Sequence, residues 1–173
     1  LIQRSSVNGS FGVTSTGGIT GRAILTSYWK QDKIRLLGNL NFKTIPDNYW
    51  GVGYNNGLNT HKSDSTTDYD RLYWQVFPRI LFRVKEDFYI GPVLDFNYTK
   101  GSEESPGVLA DPDYQEYGPK NYNGGAGIIL QYDSRDIPVN AYHGTLVQVM
   151  GTIYGNYLGS NNNYYLLDID FRN

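Results

Sequence analysis

From Arg71 to Val84 every second residue is apolar. Leu72, Trp74, Val76, Pro78, Ile80, Phe82 and Val84 alternate with Arg71, Tyr73, Gln75, Phe77, Arg79, Leu81 and Arg83, so an extended chain has one wholly apolar face and one bearing the arginines. A turn at Lys85-Glu86-Asp87 leads into a second arm, with Phe88, Ile90, Pro92, Leu94, Phe96 and Tyr98 opposite Tyr89, Val93, Asp95, Asn97 and Thr99. Pro78 and Pro92 each remove a ladder donor and predict a local bulge. The same alternation occurs upstream. Val7, Gly9, Phe11 and Val13 share a side; Ile19, Ala23, Leu25 and Trp29 oppose Arg22, Thr26 and Tyr28; Ile34, Leu36, Leu40 and Phe42 oppose Arg35, Asn39 and Asn41, with only Leu37 on the polar side. Downstream, Ala126, Ile128, Leu130 and Tyr132 are followed by Val147, Val149 and Ile153, then by Tyr165, Leu167, Ile169 and Phe171 against Asp168, Asp170 and Arg172.

This pattern predicts about eight strands, several of roughly 10–14 residues, near the length that crosses a bilayer at a tilt. Two polar stretches, about 45–67 and 101–122, read as long loops, with Tyr49-Trp50 and Tyr73-Trp74 as rim aromatics beside them. If strands alternate up and down, both long loops fall at one end. Gln31-Asp32, Lys85-Glu86-Asp87 and the Ser134 to His143 turn fall at the other, an asymmetry typical of outer-membrane barrels. The expected fold is therefore all-β: an antiparallel up-and-down transmembrane β-barrel, with residues 1–173 as one barrel domain or partial barrel.

Composition changes the picture little. Mean hydropathy of −0.48 would suit an ordinary soluble protein, and no apolar run is long enough for a membrane helix. A strand-built membrane protein escapes that test because its two faces dilute each other. The 15% aromatic content suits interfacial girdles. Net charge −2 leaves no footprint for nucleic acid, and the absence of cysteine excludes a disulfide scaffold or thiolate metal site. Leu1-Ile2-Gln3-Arg4 has no leader pattern, which puts any signal peptide outside this chain.

The most informative stretch is Gly124 to Gly144. A small-residue strand runs into Tyr132-Asp133-Ser134-Arg135-Asp136, Pro138 ends it, and Gly144 opens the next strand. Asp133 and Arg135 share a face and can pair. Together with Pro46-Asp47-Asn48-Tyr49-Trp50-Gly51-Val52-Gly53-Tyr54, this stretch resembles the bacterial surface antigen family, the outer-membrane protein-assembly and translocation barrels. The resemblance covers the N-terminal half of such a barrel, of about 16 strands, and stops before the family's Arg-Gly-aromatic tip, which does not occur here. It implies a Gram-negative outer-membrane location and a non-enzymatic role in protein insertion or translocation. Its implied partners are outer-membrane lipid, client outer-membrane or secreted proteins and periplasmic assembly factors.

In that reading Tyr132, Asp133, Arg135, Asp136, Pro138 and Gly144 form a periplasmic turn motif. Arg22, Arg35, Arg71, Arg79, Arg83, Asp95, Asp168 and Asp170 are lumen-facing charges that set a transverse field. No catalytic residue, cofactor or metal is assigned, because no nucleophile stands beside a base and His61 and His143 lack companions at ligand spacing. The loop carboxylates Glu103, Glu104, Asp111, Asp113 and Glu116 do not follow a calcium-loop spacing. Two alternatives stand beside this reading. One is a complete eight-stranded outer-membrane barrel binding a ligand or partner through its surface loops. The other is a soluble ligand-binding β-barrel with its apolar face turned inward.

Overall fold

The computed structural model describes residues 4–138 and 141–173; Leu1-Ile2-Gln3, read above for a leader, lies outside them. Eight strands form one sheet in chain order: β1 (Ser6–Val13), β2 (Ile19–Trp29), β3 (Ile34–Asn48), β4 (Asp68–Lys85), β5 (Phe88–Ser102), β6 (Lys120–Asp133), β7 (Leu146–Tyr154) and β8 (Tyr164–Arg172). Each pairs antiparallel with the next, and β1 and β8 do not pair with each other, so the sheet is an open meander. Strand number and direction are as the alternation predicts; closure of these eight strands into a ring is not found.

The registers place like faces together. Arg22 lies opposite Asn41, Arg35 opposite Leu81, Arg79 opposite Val93, Asp95 opposite Gly125 and Gln148 opposite Asp170. Arg35 Nη1 on β3 donates to Asp133 Oδ2 on β6 at 2.7 Å. Three strand spacings would separate these strands by about 14 Å in a flat sheet, and side chains standing off it would stay that far apart. They meet because the sheet curls towards its polar face.

The convex face is apolar on every strand. Phe11, Trp29, Leu40, Phe82, Leu94, Ile128, Ile153 and Leu167, one from each strand in order, are 38–75% exposed. On the concave face Leu81, Tyr89, Val93, Ile129 and Met150 form a buried cluster with Leu37 and Phe77 packed against it. Leu37, out of phase in the sequence, is thus an inner core residue.

Three expectations need correction. The prolines cause no shift of register: between Val76↔Phe96 and Phe82↔Ile90 only Arg79↔Val93 remains paired, and the one irregularity falls at Arg83/Lys85. Both prolines thin the β4–β5 ladder at the same height, so neither strand needs an extra residue to stay aligned. The loops are also shorter than their polarity suggests. Pro46, Asp47 and Asn48 continue β3 against Asp70, Tyr69 and Asp68, pinned by Arg71 Nη2 on Asp47 Oδ2 at 2.8 Å. The connections are then 49–67, with helix α1 (Tyr54–Asn59), and 103–119, with α2 (Pro106–Leu109) and α3 (Pro112–Tyr117).

The rim aromatics divide differently too. Trp74 faces outward beside Tyr98 and Tyr122, at ring separations of 5.9 and 6.4 Å, whereas Tyr73 points inward and donates to Gln75. Tyr49 donates to Asp111 and packs on Tyr114 inside the loops, and burial together with this bond pushes its hydroxyl up to about 12.

Candidate functional site at the short-turn end

The β2–β3 turn takes an uncommon path. Lys30, Gln31 and Asp32 have φ values of 51°, 58° and 64°, a left-handed run that only Asp32 of the three tolerates at all readily. It folds Asp32 under the rim, where the carboxylate meets three partners. Arg35 donates Nε to Oδ1 at 2.8 Å and Nη2 to Oδ2 at 2.7 Å; Tyr89 Oη donates to Oδ2 at 2.7 Å; Arg83 Nη2 donates to the same oxygen at 3.1 Å. Burial pushes the Asp32 carboxyl up, but bonds from Arg35 and Tyr89 and the charges of Arg35 and Arg83 hold it below the ordinary aspartate value of 3.8. Arg35, 4% exposed, also lies over the Tyr89 ring at 3.8 Å.

Asp133 closes the other side. It accepts from Arg35, from Gln131 Nε2 at 3.3 Å, and from Arg135 through Nε at 2.7 Å and Nη2 at 3.2 Å. Arg135 Nη1 donates onward to the Pro138 carbonyl at 2.9 Å. Asp136 Oδ1 accepts from the N–H groups of Ile137, Tyr142 and His143, tying the ends of the loop together. Slight desolvation pushes the Asp136 carboxyl up, yet these N–H groups and the charge on His143 hold it below the usual carboxylate range. Gly144 has φ +101°, and a Cβ there would lie 2.3 Å from the Ser134 carbonyl oxygen, so glycine alone fits. Tyr132 faces outward against Phe88, ring to ring at 4.8 Å.

The remaining charges anticipated on this face separate. Asp95 accepts from Gln75 Nε2 at 2.8 Å and Tyr154 Oη at 2.6 Å, nearer the long-loop end. Arg71 pairs with Asp47, Asp170 with Arg172 at 2.5 Å, and Arg22 and Asp168 are exposed. Arg79 joins none of these pairs. The sequence reading missed Asp32, Tyr89 and Gln131: a two-residue turn, an aromatic and an amide carry no charge pattern, and only the i, i+3 spacing of Asp32 and Arg35 hinted at a contact.

Above the ionic cluster, a cleft of about 360 Å³ runs across the concave face and is lined from β1 round to β8. Five arginines (Arg4, Arg35, Arg79, Arg135 and Arg172) and two aspartates (Asp133 and Asp170) line it, an excess of three positive charges. Both clustered carboxylates are already saturated by donors, which makes the cluster a brace for the curl rather than a carrier of protons. Among the described residues no group of carboxylates, histidines or cysteines could hold a metal ion. Comparisons with protein-family models, with curated proteins and with solved structures find no match to this chain.

Proposed function

We propose that these strands are a wall of a transmembrane β-barrel in a Gram-negative outer membrane, of the kind that inserts or translocates other proteins without bond chemistry. The observation that carries this reading is the convex face, which is apolar and carries exposed apolar side chains on all eight strands. A soluble sheet would bury such a surface. The aromatic positions support it dimensionally. Tyr98 and Tyr122 stand ten residues from Phe88 and Tyr132 on β5 and β6, about 33 Å along a strand and about 25 Å across a membrane at a 40° tilt, the height of a barrel's apolar band.

The open edges at β1 and β8 fit a larger ring better than a ring of eight. The protein-handling role rests on the resemblance of the Tyr132 to Gly144 stretch and is the finer part of the proposal. Three single-tryptophan variants test the membrane part in vesicles of brominated phospholipid. Trp29 and Trp74 emission should be quenched most by bromines near the headgroups, and Trp50, in the long loop, least. Equal, weak quenching of all three would remove the proposal. The assembly part is checked by whether vesicles carrying this protein speed the folding of a small outer-membrane barrel.

A second reading, ligand capture by the loops, is favoured by one feature. A hollow of about 430 Å³ at the long-loop end is lined by Tyr49, Tyr114 and Tyr117 with Asn121, Asn161 and Asn162.

A further inference from the structure

Arg79 is the one inner-face guanidinium of β3 to β6 that meets no carboxylate. Among the described residues none lies within 4 Å of it, whereas Arg35, Arg71, Arg83 and Arg135 are all paired. Its Nη2 reaches Asn39 Oδ1 at 3.3 Å, a long bond to a neutral acceptor, and its Nε is buried with no partner at all. The ring of Phe77, 4.5 Å from the guanidinium carbon, covers one face. Arg79 opposes Leu37 and Val93 in the sheet, so its surroundings along the strands are apolar. It nevertheless lines the concave cleft, where positive charge is already in excess.

A half-buried guanidinium with no carboxylate within 4 Å, facing an open cleft, has its charge short of a close partner that an anion in the cleft would supply. We infer that the concave cleft is an oxyanion site organised on Arg79, taking a carboxylate or phosphate group. The planar fork of a guanidinium matches two oxygens of such a group end-on, through Nη1, which makes no hydrogen bond among the described residues, and the second N–H of Nη2. Asn39 fixes the fork from one side and Phe77 from below. The aspartates that line the cleft are engaged by Arg35, Arg135 and Arg172 and leave Arg79 free. This site is independent of what covers the convex face.

The test is thermal unfolding of the full chain in detergent, in chloride and then in inorganic phosphate or acetate at one ionic strength. Arg79→Met is run in parallel, which cancels the general salting effect of phosphate. The wild-type midpoint should rise in phosphate or acetate by about 3 °C more than that of Arg79→Met. In chloride the variant should melt at least as high as the wild type, because a half-buried charge without a carboxylate partner has been removed. A rise confined to acetate would assign the site to carboxylates, and one confined to phosphate to phosphoryl groups. Equal responses in both proteins would overturn the inference. Should Arg79→Met fail to fold, Arg79→Lys keeps the charge but loses the fork. An undiminished response there overturns the two-oxygen geometry, and a reduced one supports it.

Discussion

Arg35 is the residue on which the curl depends, because among the described residues it alone touches both Asp32 and Asp133. Replacing it by Met leaves Asp32 held only by Tyr89 and Arg83 and Asp133 only by Arg135 and Gln131, and should destabilise the fold by about 2–3 kcal/mol in denaturant titrations. Arg35→Met combined with Asp133→Leu should cost less than the sum of the singles, since both changes remove the same ion pair. The same cluster sets an acid limit. The Asp32 and Asp136 carboxyls are held below their unfolded values, so their contribution is complete above about pH 4 and is lost as pH falls through the lower folded values. Equilibrium unfolding should show a flat stability above pH 5 and a fall beneath pH 4, and Asp32→Asn should flatten that fall. At the β6–β7 loop, Gly144→Ala meets both a left-handed backbone and the Ser134 carbonyl, and a loss of about 2 kcal/mol or more is expected.

At the scale of the strand, the two faces separate by what they do. Ile128→Arg puts a charge on the convex face of a central strand; in bilayers it should cost about 2–4 kcal/mol, and in mixed detergent much less. Alternation made the strands legible because the period of two survives wherever one face is apolar, as from Leu72 to Val84. It failed at Pro46 to Asn48 and at Lys120 and Asn121, where the strands pass beyond the apolar band and both faces turn polar. It also said nothing of Asp32 or Tyr89, which matter through partners 57 residues apart in the chain. The Asp133–Arg135 contact was legible because a strand places i and i+2 on one face; the bond from Arg35, 98 residues away, was not.

For the whole molecule, the open edges dictate how stability is distributed. Amides of β4, β5 and β6 lie between partners, whereas β1 and β8 each have one side without a ladder. Hydrogen exchange should therefore be slowest in β4 to β6 apart from the stretch around Pro78 and Pro92, and fastest in β1 and β8. Uniform protection across all eight strands would mean that the edges are covered in solution.

The thinned β4–β5 ladder divides the wall into two panels, β1–β4 and β5–β8, joined along a crease. At one end the panels are zipped from Asp70↔Ser102 to Val76↔Phe96, and at the other they are stapled across the inside by Arg35 to Asp133 and by Asp32 to Tyr89. Compliance is therefore confined to mid-height, where Pro78 and Pro92 have removed the rungs. The sheet can flex there like a book held shut at the head and foot of its spine, changing its curl without coming apart.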